Sequence, residues 1–274
     1  MTVRLLQTRM VEKPWGRDRL PLPFTAPSGT RIGEIWFEPP PELPQLLVKY
    51  LFTSEKLSVQ VHPSDDNALP GEAGKEECWL VLDSEDDARL AIGFDQAIAP
   101  EAIIDAARAG TIEQLLTWHP ARPGDFFYLP AGTVHAIGAG LALIEVQQNS
   151  DTTFRLYDYG RPRELHLERA RAVSRGTPYP QEEKSSIASR GQVLVEGPHF
   201  RFDRVIGEPD AATAEAYAGG LLVLPLEGTV RSRADGTVAA AGECLYANAL
   251  DKLDFASAKV TLLARPSLRG QALQ

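Results

Sequence analysis

From residue 46 onward the chain is cut into strand-length apolar runs, and that segmentation commits it to a protein built mainly of sheets. LLVKYLF (46–52), KLSVQVH (56–62), ECWLVLD (77–83), ARLAIGF (88–94), DFFYLP (125–130), TVHAIG (133–138) and LALIEVQQ (141–148) follow one another, divided by turn-forming residues. Runs of this length, rich in β-branched and aromatic residues, read as strands. One segment breaks the pattern: residues 100–118 carry apolar residues at helical intervals. Pro100 suits a first helical position and Glu101 a first turn, and Gly110 interrupts the pattern, which predicts two helices joined at Ala109-Gly110-Thr111. A second, short amphipathic helix is expected over 164–174. The fold class expected is therefore all-β with a helical insertion.

The two ends of the chain read differently. Residues 1–45 are dense in proline (Pro14, Pro21, Pro23, Pro27, Pro39, Pro40, Pro41, Pro44). Proline at that density blocks helix and central strand alike, so an extended arm wrapped on a body is expected, with Ile32–Phe37 as an edge strand. Residues 176–191 are polar, proline-bearing and without period, and read as a linker. Beyond it, HFRFDRVIGE, GLLVLPLEGTVRSR, GECLYANA and KVTLLARP are again short strands. The expected division is a first unit over 1–175, a linker over 176–191 and a smaller β unit over 192–274.

Composition excludes several classes. With 43% hydrophobic residues the chain of 274 has ample material for a core. Its net charge of -9 is spread along the length, without the basic stripe that a nucleic-acid surface needs. Two cysteines, Cys78 and Cys244, cannot build a disulfide framework. The N-terminus lacks an apolar signal-peptide core, and no run is long enough to cross a bilayer. A cytoplasmic protein with no membrane or nucleic-acid partner is the expectation.

Two of the five histidines stand in informative settings. In Ser58-Val59-Gln60-Val61-His62 the side chains alternate, so Ser58, Gln60 and His62 share one sheet face and the valines the other. Either the valines face an interior between sheets or neighbouring elements, or the polar set points into a barrel lumen. Glu77 opens the next strand after a short loop, and a hairpin would set it beside Gln60 and His62. His135 follows the turn Gly124-x5-Pro130-x-Gly132-x-x-His135. A single strand histidine is commonly structural, but this set together makes a plausible mixed N/O metal site. Lys49 is a charge inside an apolar strand and needs a partner. It serves either a phosphate or a wet face. Cys78 should alternate away from Glu77 into the core. Trp15 and Trp36 read as packing anchors for the arm, with a sugar platform as the alternative. His119, His166 and His199 read as surface or structural residues.

Gly124, Pro130, Gly132 and His135 match the second cupin motif. Gln60-Val61-His62-Pro63 with Glu77, together with GKEECW, PGDFFYLPAGTVHAIG and IEVQQNSDTTFRLYDYGR, resembles the class I mannose-6-phosphate isomerases, in their short bacterial branch. The similarity runs from about Lys13 to Arg171 and then fades to a general likeness to the family's second, metal-free cupin. The resemblance implies a cupin jelly-roll barrel, two cupin-like units, and one zinc ion per chain on Gln60, His62, Glu77 and His135. It implies interconversion of mannose 6-phosphate and fructose 6-phosphate through an enediol. It also implies that Arg155 and Lys75 act at the site, both as catalytic and substrate-binding groups, beside Lys49. Asp151 is the candidate for moving the proton or orienting Arg155, with a metal-bound water and a lysine of lowered pKa as alternative bases. Trp15-Gly16-Arg17 departs from the second glycine that many relatives carry there.

Rival readings share the same residues. Another cupin isomerase or epimerase of a different phosphosugar would differ only in its pocket walls. A non-catalytic sugar-binding cupin would have no use for Arg155 and Lys75 beside a Lewis acid. A metal-dependent oxygenase fits a glutamine ligand poorly.

Overall fold

The structure is a computed structural model and describes residues 3–187 and 190–267. Its first unit is two antiparallel sheets packed face to face. In the larger, the order is Lys184–Ser186, Asp125–Leu129, Glu77–Ser84, Leu141–Gln148, Leu46–Phe52, Ile32–Phe37 and Thr8–Arg17. In the smaller it is Phe154–Tyr157, Val59–Val61, His135–Ile137, Arg89–Phe94 and Leu116–Pro120. A second pair of sheets, of six and three strands, is built from the C-terminal part of the chain together with the N-terminal strand Val3–Leu5. This is a mostly β architecture with few helices, as the strand-length segmentation predicts.

Alternation along the strands makes four layers of packing. Trp79, Val81, Leu51 and Leu143 of the large sheet meet Leu90, Ile92 and Ile137 of the small one, closing most of the lumen between them. The opposite face of the large sheet, with Cys78, Leu80, Val48 and Ile144, packs on Phe200, Phe202, Leu222 and Leu262 of the second unit. A sheet covered on both faces needs apolar residues at nearly every position, which explains the unbroken run LLVKYLF. The outer face of the small sheet, with Val59, Val61 and Ala136, is covered by Ile103, Ile104, Ala107 and Ala170 of the two helices. The helical insertion is thus a lid on an otherwise wet face, and the last apolar cluster fills the second unit's interior.

Three expectations change. The helical segment is one α-helix, Pro100–Ala109, then a 3-10 turn, Ile112–Leu115, and then the strand Leu116–Pro120. Gly110 ends the helix in the left-handed region, its N–H bonding back to Ala106 and Ala107, and Trp118 and His119 pair with Ala91 and Leu90. Sheet pairing wins over helical period because Arg89–Phe94 offers a free edge there. Ile32–Phe37 is not an edge strand, because Thr8–Arg17 pairs outside it and becomes the edge itself. The helix expected over 164–174 covers Leu167–Val173.

Chain order and sheet membership part at both ends. Val3–Leu5 pairs with Leu245–Ala247 in the C-terminal sheet. Within the stretch expected as a linker, Lys184–Ser186 pairs with Asp125–Phe127. Residues 188–189 of that stretch, and 268–274 of the expected second unit, lie outside the described residues. No helix among the described residues is long and apolar enough to cross a membrane.

Candidate metal centre and its cavity

Gln60 sits in the middle of Val59–Val61, and because both valines are buried under the helices its side chain faces the lumen. Both arrangements open at the sequence level hold together, with the valines against the neighbouring helices and the polar set facing the lumen. Gln60 pairs with His135 on one side and Arg155 on the other, so three residues distant in sequence form one cross-strand row. His62 is the first residue beyond the strand, and its carbonyl accepts a 2.8 Å hydrogen bond from the N–H of Gly132. Gly132 has φ +86°, and a Cβ there would lie 2.8 Å from the Val173 carbonyl oxygen, so only glycine makes this tie. Glu77 opens its strand on the facing sheet. The Lys75 N–H donates to the Pro63 carbonyl at 2.9 Å, which pins the lysine beside His62.

His62, Glu77 and His135 present ligand atoms that all lie within 4.8 Å of one another, and all three are buried. His62 Nε2 stands 3.5 Å from Glu77 Oε2, and His135 Nε2 stands 3.4 Å from Glu77 Oε1. Each imidazole donates from Nδ1 to a backbone carbonyl at 2.9 Å, Thr152 for His62 and Thr133 for His135. That leaves both Nε2 lone pairs aimed at the cluster. Burial, then the Lys75 charge, holds His62 well below its ordinary pKa, and burial holds His135 below its own. Both are neutral, the form that binds a metal. Burial alone would raise Glu77, but the ammonium charges around it, Lys75 first and Lys49 behind it, work the other way and leave the carboxylate ionised.

The donor set fits a cation. Neither Glu77 oxygen accepts a well-formed hydrogen bond, an unusual state for a carboxylate that is 1% exposed. The Lys75 ammonium stands in as the positive charge, 2.6 Å from Glu77 Oε2 and 3.1 Å from His62 Nε2. Two imidazoles and a carboxylate are compatible with a metal site. Gln60 lies against the same group, with its amide nitrogen 3.3 Å from His135 Nε2 and its oxygen accepting from Ser58 at 3.0 Å. A half-turn of the amide exchanges the two atoms and presents the oxygen instead.

The cluster borders a cavity of about 270 Å³ whose walls include Gln60, Lys75, Lys49, Asp151 and Arg155. The eight candidate site residues therefore lie in one place, the four candidate ligands and Lys75 in the cluster, and Lys49, Asp151 and Arg155 on the cavity wall. Lys49 finds its partner in Glu145 at 2.8 Å. Burial works against that ammonium, but Glu145 and Glu34 raise its pKa and keep it charged. The Trp79 indole donates to the other Glu145 oxygen at 2.9 Å. Asp151 is exposed, and no ion pair joins it to Arg155 among the described residues. Trp15 is a buried anchor, whereas Trp36 lies on the cavity wall with the Lys49 ammonium 4.9 Å above its ring. Cys78 faces away into the core, and His119 is buried against Phe127 and Tyr179.

Sequence reasoning missed Glu145 and Arg163, both on the cavity wall. Glu145 carried the signal that singled out Lys49, a charge inside an apolar strand, and the two are directly paired across the sheet. Arg163 gave no comparable signal, because it lies in an exposed-looking loop.

No family model matches the chain. Individual relatives do. The mannose-6-phosphate isomerase ManA of Bacillus subtilis (strain 168) is 47% identical over 134 residues, 46% of this chain and 42% of that protein. The chain spans about half the length of the relatives it matches in sequence, 51% for the probable mannose-6-phosphate isomerase GmuF of the same organism. The crystal structure of the mannose 6-phosphate isomerase from Bacillus subtilis superposes with a TM-score of 0.75 at 26% identity, covering 96% of this chain and 99% of that one. A zinc-bound mannose 6-phosphate isomerase structure superposes with a TM-score of 0.72 over 98% of this chain, and at 15% identity it speaks to the fold alone. Over about half its length the chain is similar in sequence to mannose-6-phosphate isomerases of the short bacterial kind, and over nearly all of it the chain shares their cupin architecture.

Proposed function

We propose that this protein is a zinc-dependent aldose–ketose isomerase interconverting mannose 6-phosphate and fructose 6-phosphate through an enediol. The observation that carries the reading is the buried His62, Glu77 and His135 cluster, with its lone pairs converging beside Lys75 at the wall of a cationic cavity. Gln60, His62, Glu77 and His135 would hold one zinc ion per chain. When bound, it would supply a Lewis acid that favours negative charge on the substrate's oxygens. Glutamine is neutral, so this ligand set leaves more positive charge on the metal than a second carboxylate would.

The chain's own groups do the rest. The reaction moves a proton between adjacent carbons, and its barrier lies in removing a proton next to a carbonyl. Asp151, a free carboxylate on the cavity wall, takes the proton from one carbon and returns it to the next. Lys75 and Arg155 offset the negative charge that develops on the neighbouring oxygens. Lys49, fixed by Glu145, holds the substrate from the opposite wall. A small phosphosugar substrate and a cytoplasmic setting belong to the same proposal.

The test is conversion of mannose 6-phosphate to fructose 6-phosphate before and after chelation, with zinc added back. Activity that is lost to chelator and restored by zinc supports the reaction and the cofactor together. A folded, zinc-loaded sample with no conversion would overturn it in favour of another phosphosugar or a non-catalytic binder.

A further inference from the structure

Among the cations on the cavity wall, most are matched one to one with a carboxylate. Lys49 pairs with Glu145 at 2.8 Å, Lys75 with Glu77 at 2.6 Å and Lys13 with Glu34 at 3.4 Å. Arg155 and Arg163 are not. The Arg155 guanidinium makes only a long contact, 3.5 Å, to the Glu164 carbonyl. Arg163 is bound to Asp158, but so is Arg161, and one carboxylate cannot neutralise two guanidiniums.

Local chain geometry builds that arrangement. The strand Phe154–Tyr157 ends at Asp158, and a turn through Tyr159 (φ 56°) and Gly160 (φ 78°) brings Arg161 and Arg163 back onto the Asp158 carboxylate. Asp158 is 2% exposed. Arg163 meets it bidentately, Nε to Oδ2 at 2.6 Å and Nη2 to Oδ1 at 2.7 Å, and Arg161 Nη2 lies 2.8 Å from Oδ1. The clamp occupies Nε and Nη2 of Arg163 and leaves Nη1 without a protein partner among the described residues. Burial, then the nearby Arg163 charge, lowers the pKa of Arg155 against the weaker pull of Asp158 and Glu164, so the Arg155 guanidinium stands in a net positive surrounding.

We infer that Arg163 grips the phosphate monoester of the substrate, with Arg155 standing between that phosphate and the ligand cluster. The inference rests on the phosphosugar reading above. A phosphate offers several strong acceptor oxygens and up to two negative charges, which matches two planar donors, one without a carboxylate partner and one sharing its carboxylate with Arg161. The Asp158 clamp fixes the Arg163 side chain in advance, so less rotamer freedom is lost on binding. Arg155 neighbours Gln60 in the sheet, so the phosphate lies at the far end of the cavity from the cluster, with the sugar's reacting carbons directed inward.

The experiment compares Arg163→Ala with the wild type in the zinc-loaded protein. It measures KM and kcat for mannose 6-phosphate and the affinity for inorganic phosphate by calorimetry. The expected result is a KM raised about tenfold or more, a kcat within about twofold, phosphate affinity reduced in parallel, and unchanged zinc content. KM and phosphate affinity that both stay within about twofold would overturn the inference, as would a fall in kcat alone. Arg163→Lys covers the case in which the alanine variant does not fold. It keeps the charge and loses the fork, so an intermediate rise in KM supports the inference and an unchanged KM opposes it. If the wild type does not turn over mannose 6-phosphate, the isomerase reading fails by itself. The phosphate titration still judges Arg163, since equal affinity in wild type and variant would overturn its role.

Discussion

Two buried carboxylates, one in each unit, show what separates a site from a strut. Glu77 in the first unit and Asp203 in the second are 1% and 3% exposed. Asp203 is closed by a fork, with Arg201 Nε at 3.0 Å and Nη2 at 2.9 Å, on the same strand face as Val205 of the second unit's apolar cluster. Burial raises its pKa against the pull of the Arg201 hydrogen bond, as expected of a structural pair in an apolar interior. Glu77 has no fork. Its oxygens face two imidazole lone pairs and one ammonium, and the surrounding positive charge lowers its pKa despite full burial. Both carboxylates satisfy the rule that a buried charge needs a partner. Only one does so with groups that can also bind a metal.

The strongest test of that contrast is at the ligands. His135→Ala should abolish turnover and weaken metal retention, whereas Arg155→Ala should lose turnover by about 100-fold or more and keep its zinc. Metal analysis of the two purified variants decides the matter, and equal zinc loss in both would remove the distinction between cluster and cavity wall. Next is the strut. Asp203→Ala leaves Arg201 with only the half-exposed Glu196 at 3.2 Å and should cost about 3 kcal/mol in denaturant unfolding, with zinc content unchanged. Zinc lost from that variant would show that the two interiors are coupled.

Slightly smaller is the effect of metal on stability. Zinc held at about 100 times its dissociation constant should add about 2.7 kcal/mol, read by calorimetry as a rise in Tm that chelator reverses. His135→Ala should lose most of that rise, and a full rise in the variant would place the metal elsewhere. Smallest is Cys78→Ser, which buries a hydroxyl in the layer between units at a cost of about 1–2 kcal/mol. Its zinc affinity should match the wild type, since Cys78 points to the face opposite Glu77. A lowered affinity would contradict that alternation.

The site was more legible than the fold around it. Gln60 and His62 could be placed on one face because strand period is strict, and the turn before His135 needs glycine at 132 for a steric reason that a single residue type satisfies. Glu145 was missed although it carried the same signal as Lys49, since a charge in an apolar strand demands a partner and these two are each other's. The limits of the helical segment were not legible. The run after Gly110 keeps a helical pattern of apolar residues, and only the open edge of Arg89–Phe94 turns it into a strand. Arg163 could not be found either, because its clamp depends on a reversal at Tyr159-Gly160 that folds a loop charge back onto Asp158.

The strand-rich class, the alternation of strand faces and the residue types able to hold a metal were written in local order along the chain, because side-chain period and turn sterics are local properties. The tertiary structure alone decided which face looked inward and which strands became edges. It also decided which cations kept an uncompensated charge. Those outcomes depend on what packs across the sheet from each residue, and a partner 70 or more positions away leaves no trace in the local pattern, as with His62 and the Thr152 carbonyl, separated by 90.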